Sequence, residues 1–340
     1  MASHDMASIA QALVAKSKGI LAADESTGTI AKRLTLIGMP STEENRRDWR
    51  ELLFTADGFA DYISGVILYD ETIRQKAKDG TPFVDLLNKA GVIPGIKVDM
   101  GAKPLAGSPD EKVTEGLDGL RERLAEYRKI GARFAKWRAV IDIAADQPSN
   151  YCLDVNAHAL ARYAALCQEA DIVPIVEPEV LMDGDHDIDR CYEVTSAALR
   201  TVFAALDTQR VVLEEMLLKP NMVISGKKCP TQASAAEIAE KTVRCFRNTV
   251  PAAVPGIVFL SGGQSDEDAT ANLDAINRIG NLPWEVSYSY GRALQHGALM
   301  AWGGKPGNVG AGQRAFAHRA RLVSAARDGR YSAKMESEAA

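Results

Sequence analysis

The strongest constraint on the fold is an alternation that runs the length of the chain. Eight short apolar runs are each followed by a helical pattern, and no linker or shift in composition interrupts the series. The runs are Gly19 to Asp24, Ser64 to Tyr69, Ile93 to Asp99, Phe134 to Ile141, Asp171 to Val180, the stretch around Lys219, Gly256 to Leu260 and Pro283 to Tyr290. Eight strand and helix units in one chain predict a single-domain (β/α)8 TIM barrel, with a doubly wound sheet as runner-up. Polar groups gather at the carboxyl ends of nearly every run: Asp24, Lys97, Lys136 with Arg138, Glu177 with Glu179, Lys219, Ser261 and Arg292. In a barrel those ends converge on one site, which favours the barrel over the open sheet. The barrel is expected over residues 1–330, and the small polar tail from Tyr331 to Ala340 is expected to be mobile.

Local signals place the helices. Ser41 and Glu44 form a capping-box pattern ahead of an amphipathic segment from Asn45 to Asp57, and Ser265 with Asp268 caps a helix that stops near Gly280. Leu117, Leu120, Leu124 and Tyr127 fall at helical spacing within Pro109 to Ile130. Asn156 to Ala170, Arg190 to Leu206 and Ala233 to Asn248 read as further helices.

The chain is 46% hydrophobic and 25% charged, with a formal charge of −5 and a pI near 5.7. That balance gives no general attraction to nucleic acid or to an anionic membrane, so an anionic ligand must be met by locally gathered cations. No apolar run approaches the roughly 18 residues that span a bilayer, and Met1 to Ala10 lacks a cationic stretch followed by an apolar one. Cys152, Cys167, Cys191, Cys229 and Cys245 are odd in number and widely spaced, which fits free thiols in a reducing, cytoplasmic setting. His4, His158, His186, His296 and His318 lack paired spacing, so neither a metal nor another cofactor is expected. The acidic run Asp183 to Asp189 has Ile188 where a calcium loop needs glycine and Val194 where it needs glutamate, and it reads as a solvated loop.

Lys219 lies in the apolar run Met216 to Val223 and precedes Pro220, which biases it toward extended geometry at a strand's end. Taken alone it is more readily a lysine snorkelling from a strand edge than a reactive amine. An ordinary lysine, with a pKa near 10.4, is neutral in about one molecule in several thousand at pH 7. Lowering that value to about 7 takes roughly 4 to 5 kcal/mol of bias against the ammonium, which burial and a nearby cation such as Lys136 can supply. Residues two apart on a strand share a face, so Lys136 and Arg138, Glu177 and Glu179, and Lys97 and Asp99 point together in pairs. Glu177 or Glu179 can deliver the proton that dehydrates a carbinolamine, and Asp24 can accept one from a substrate hydroxyl as a carbon–carbon bond breaks. Each carboxylate taken singly is as well explained by an ion pair. Ser261-Gly262-Gly263 and Gly291-Arg292 follow the last two strands, where barrels commonly hold a phosphate. Ser26 and Thr29, close to Lys32 and Arg33, can hold a second phosphate or act merely as helix caps.

GILAADESTGTIAKR (19–33), GIKVDMG (95–101), FAKWRAV (134–140), PIVEPEV (174–180), LLKPNMV (217–223), FLSGGQS (259–265) and YGRALQ (290–295) resemble, in order, the blocks of the class I, Schiff-base-forming fructose-bisphosphate aldolases. The resemblance covers nearly the whole chain. It implies a lyase of glycolysis and gluconeogenesis that reversibly cleaves fructose 1,6-bisphosphate to dihydroxyacetone phosphate and glyceraldehyde 3-phosphate. It further implies that Lys219 forms the imine, that Glu177 is the acid/base of imine formation, that Asp24 serves cleavage at the C4 hydroxyl, and that Lys136 and Glu179 assist. Ser261, Gly262, Gly291 and Arg292 then hold one phosphate, Ser26, Thr29, Lys97 and Arg138 lie near the other end of the sugar, and the molecule is a homotetramer. The chain departs from the family in ending Glu338-Ala339-Ala340 rather than in a tyrosine, and in carrying Met100 where some relatives have lysine. Tyr331 is the upstream candidate for the missing tyrosine. The competing reading is a non-catalytic phosphosugar- or partner-binding barrel.

Overall fold

The computed structural model describes residues 6–338, so His4, Ala339 and Ala340 lie outside the described residues. The strands are β1 (Gly19–Ala23), β2 (Ile63–Leu68), β3 (Ile93–Lys97), β4 (Ala102–Leu105), β5 (Ser108–Thr114), β6 (Phe134–Ile141), β7 (Val173–Val180), β8 (Leu217–Leu218), β9 (Gly256–Phe259) and β10 (Glu285–Tyr290). All except β4 and β5 close into one barrel in the order β1, β10, β9, β8, β7, β6, β3, β2, with every neighbour parallel. The chain is therefore a TIM barrel, and the open doubly wound sheet is excluded.

Alternation along the strands divides the interior into two levels. Ile20 and Ala22 on β1, Phe134 on β6, Val173 and Ile175 on β7, Leu217 on β8 and Val258 on β9 form one apolar cluster, and Ile9, Ala10, Leu13 and Val14 join it. The helix Met6–Leu13 thus plugs the amino-terminal end of the barrel. Phe134 fills the space that Gly95 leaves: a Cβ on Gly95 would stand 2.3 Å from its ring. Two residues further along the same faces, the apolar positions give way to Asp24, Lys136, Glu177 and Lys219. The other strand faces and the surrounding helices make the larger core, in which Trp49 stacks on Trp302 and Phe246 on Phe259.

Most sequence-read elements keep their places, with four differences. The helix Glu43–Phe54 is capped by Thr42, whose hydroxyl accepts from the Asn45 N–H, so the cap lies one residue beyond Ser41. The front of the Pro109 to Ile130 segment is not helical: β4 and β5 form an antiparallel hairpin, and the helix spans only Leu120–Ile130. The Lys219 strand is two residues long, with Lys219 just past its end. The acidic run is exposed at Asp183, Asp185, Asp187 and Asp189, as a solvated loop should be; Asp187 also caps the helix Ile188–Thr208, and Asp183 and Asp189 pair with Lys227 and Lys241. In the segment read as the tail, Tyr331 is buried, Ala333–Ser337 forms a 3-10 turn, and Arg319 pairs with Glu336 at 2.7 Å. No helix among the described residues is long and apolar enough to cross a membrane.

Candidate active site

The carboxyl ends of the barrel strands open into a cavity of about 830 Å³, and all thirteen residues singled out from the sequence line it: Lys219, Glu177, Asp24, Lys136, Glu179, Ser261, Gly262, Gly291, Arg292, Ser26, Thr29, Lys97 and Arg138. At its floor four charges form an alternating chain. Lys219 Nζ lies 3.2 Å from Glu177 Oε1, Lys136 Nζ lies 3.3 Å from Glu177 Oε2, and Lys136 Nζ lies 2.8 Å from Asp24 Oδ2. Lys136, Glu177 and Lys219 are each at most 4% exposed. Such groups are stable without water only in balanced company, which two lysines facing two acidic side chains provide.

Burial opposes the charge on Asp24, but Lys136, Lys219 and Lys97 outweigh it and hold the carboxyl well below the usual range. Burial likewise opposes the Lys136 ammonium, and Asp24, Glu177 and Asp99 reverse the effect, holding its pKa above the ordinary lysine value. Lys136 is thus a fixed cation. It does not touch Lys219 as a bare neighbour, because Glu177 stands between them. Glu177 Oε2 has no well-aligned hydrogen-bond donor, although Lys136 is near.

The strand pattern alone left Glu177 and Glu179 interchangeable as proton donors, and the structure separates their contacts. Glu179 is engaged by the Arg138 Nε and lies beside Gly262, whereas only Glu177 contacts Lys219. Backbone register pairs Arg138 with Glu177 on the neighbouring strand, yet the side-chain partner is Glu179.

On the far wall, Ser261, Gly262, Gly291 and Arg292 come together from the ends of β9 and β10. Gly291 directly precedes the helix Arg292–Trp302, so the first N–H groups of that helix face the cavity mouth. Gly263 adopts φ 80°, and a Cβ there would meet Met182 Cγ at 2.1 Å, so Met182 holds this loop from behind. Arg292 contacts Asp266 at 2.7 Å and the Gln264 carbonyl. Ser26 and Thr29 share a hydrogen bond at 3.2 Å near the start of the helix Thr27–Thr35, and Ser26 makes no side-chain cap bond there. Lys97 donates to the Asp99 carboxylate at 2.6 Å.

Three further residues belong to this neighbourhood. Asp99, buried, accepts from Lys97, from the Arg138 N–H and from the Gly101 N–H. Arg33 lines the cavity with its Nη2 3.6 Å from where a Gly291 Cβ would lie, so it reaches toward the cradle rather than only toward Ser26. Glu25 is buried between Arg33 and Arg50. Adjacency to Asp24 in GILAADESTG was the one sequence signal for Glu25. Tyr331, by contrast, does not line the cavity, and its hydroxyl donates to Glu336 at 2.8 Å. Met100 does line it and is 67% exposed. Among the described residues no group of three or more His, Cys, Asp or Glu side chains is arranged to hold a metal ion, and all five cysteines are free and buried.

Comparison with known proteins accords with this geometry. A family model described as class I fructose-bisphosphate aldolase matches residues 5–340. The chain is 61% identical over 322 residues to the "Probable fructose-bisphosphate aldolase class 1" of Xanthomonas campestris pv. campestris, covering 94% of this chain and 96% of that one. It is 56% identical over 316 residues to the cytoplasmic isozyme 2 of fructose-bisphosphate aldolase from Pisum sativum, covering 92% and 88%. The aldolase of Plasmodium falciparum, solved with TRAP and a small-molecule inhibitor, superposes with a TM-score of 0.96 at 48% identity over 97% of this chain and 96% of that one. A barrel with this array of lysines and carboxylates at its mouth, matched over its whole length, belongs to the class I fructose-bisphosphate aldolase family.

Proposed function

We propose that the chain reversibly cleaves fructose 1,6-bisphosphate to dihydroxyacetone phosphate and glyceraldehyde 3-phosphate through an imine on Lys219. The observation that carries this reading is the continuous contact from Lys219 through Glu177 and Lys136 to Asp24 at one end of the barrel. The Lys219 amine attacks the C2 carbonyl, and Glu177, in contact with that amine, protonates the carbinolamine hydroxyl so that it leaves as water. The protonated imine then draws electrons from the C3–C4 bond as Asp24 accepts the C4 hydroxyl proton. A carboxylate held below its usual range is a weak base, so this transfer relies on the iminium to acidify the alcohol. Glyceraldehyde 3-phosphate departs, and protonation and hydrolysis of the enamine release dihydroxyacetone phosphate. Lys136 stands between Asp24 and Glu177 and keeps Asp24 ionised, and Glu179 holds Arg138.

Ser261, Gly262, Gly291 and Arg292 take one phosphate, and Ser26, Thr29, Lys97 and Arg138 meet the other end of the sugar. Residues 1–330 form the catalytic barrel. The family resemblance supports a homotetramer acting in glycolysis and gluconeogenesis, and the five free thiols and the cytoplasmic relative support a cytoplasmic location. Borohydride added with fructose 1,6-bisphosphate, followed by peptide mapping, tests the reading: a covalent adduct on Lys219 is expected. No adduct would favour a non-catalytic phosphosugar-binding barrel, and activity abolished by EDTA would point to a metal route.

A further inference from the structure

The seam between β1 and β10 joins the strand that carries Asp24 to the one that leads into the phosphate cradle, and its ladder is short. Only two register pairs hold it, Ile20 opposite Ser289 and Leu21 opposite Tyr290. Beyond them the two backbones still run close, since a Cβ on Gly291 would stand 3.2 Å from the Ala22 carbonyl oxygen. Side chains close the seam there. Gln295, 1% exposed and one turn after Arg292 on the same helix, donates through Nε2 to the Ala22 carbonyl at 2.8 Å and to Glu25 Oε1 at 2.9 Å. Its Oε1 accepts from Trp49 Nε1 at 3.2 Å. Glu25, next to Asp24 in the chain, is also gripped by Arg33 and by Arg50 Nη2, the latter at 2.6 Å. The buried Arg50 has two nitrogens without a hydrogen-bond partner, so Glu25 is its counter-charge.

We infer that Gln295 and Glu25 are positioning residues that set the place of Asp24 relative to the phosphate cradle. The amide of Gln295 serves as an extra rung across the seam, and it sits on the helix whose first residue is the cradle arginine. Asp24 and the bound phosphate are thereby held at one fixed separation, which matters because a displacement of about 1 Å can cost roughly a hundredfold in rate. Imine formation lies away from this rung: Glu177 on β7 is opposite β1 in the ring, Lys219 follows β8, and Lys136 stands between Glu177 and Asp24. The inference deepens the proposed function and rests on it.

The test compares two reactions in wild type and Gln295→Met, which keeps the volume and removes all three hydrogen bonds. Borohydride trapping of dihydroxyacetone phosphate on Lys219 should match wild type, while kcat for fructose 1,6-bisphosphate cleavage falls about ten- to a hundredfold with a smaller change in KM. Gln295→Glu introduces a carboxyl that can donate to the Ala22 carbonyl only while it holds a proton, facing Glu25, Arg33 and Arg50. Its kcat should gain a basic limb absent from wild type and from Gln295→Met. Wild-type kcat in Gln295→Met, or equal loss of trapping and cleavage, overturns the inference while leaving the imine reading intact. A wild-type protein that traps no imine overturns both.

Discussion

The floor of the cavity and its rim handle charge in opposite ways. On the floor, Lys219, Glu177, Lys136 and Asp24 contact one another at 2.8 to 3.3 Å, nearly out of reach of water. At the rim, Arg292 pairs with Asp266, and Arg74 with Asp70 and Glu126, with the arginine side chains 41 to 43% exposed. A buried charge that loses its partner costs several kcal/mol, whereas an exposed pair contributes about 0 to 1 kcal/mol. The floor must therefore keep its set of four intact. The exposed rim pairs of Arg74 with Asp70 and Glu126 can trade one partner for another at little cost, and Arg292 keeps an exposed guanidinium beside the less exposed Asp266. The same residue types serve as fixed machinery below and as exchangeable contacts above.

The sharpest way to break this contrast is at Lys219. Lys219→Ala and Lys219→Arg should both abolish borohydride trapping and lower cleavage at least about a thousandfold, the arginine failing although it keeps the charge. Lys136→Met, read by chemical denaturation, should destabilise the fold by about 3 to 5 kcal/mol, because it leaves Asp24 and Glu177 without their shared cation. At the rim, Arg292→Lys keeps a cation and loses the bidentate fork, and KM for fructose 1,6-bisphosphate should rise about tenfold with kcat nearly unchanged. Arg121→Gln, which breaks the exposed Arg121–Glu169 pair outside the cavity, should leave thermal unfolding where it is.

Asp24 and Lys136 should also be silent in ordinary pH profiles. Asp24 is held below its unfolded value near 3.9, so its contribution to stability is complete above about pH 4 and is lost only as pH falls through the lower folded value. Lys136 is held above its unfolded value near 10.4, so its contribution is complete below that and is lost only in stronger alkali. Neither group changes charge between about pH 5 and 9 in the free enzyme. Asp24→Asn should therefore lower kcat while leaving the limbs of the kcat/KM profile in that range where wild type has them; a shifted limb would show that Asp24 titrates there.

The sequence by itself determined the closed barrel and the residues at its mouth. Strand runs such as FAKWRAVI carry their own period of two, so Phe134 and Lys136 must share a face, and parallel closure then brings such faces to one axis. Local periodicity could not separate the hairpin Ala102–Leu105 with Ser108–Thr114 from the helix behind it, because that hairpin is defined by pairing between strands rather than by a pattern within one. Nor could it say which carboxylate met which cation. Only the tertiary structure decided that Glu177 goes to Lys219 and Glu179 to Arg138, and that Gln295 spans 270 residues of sequence to reach Glu25. The reason is physical: a strand's period fixes which way a side chain points, but its partner depends on barrel stagger and on elements far away in the chain.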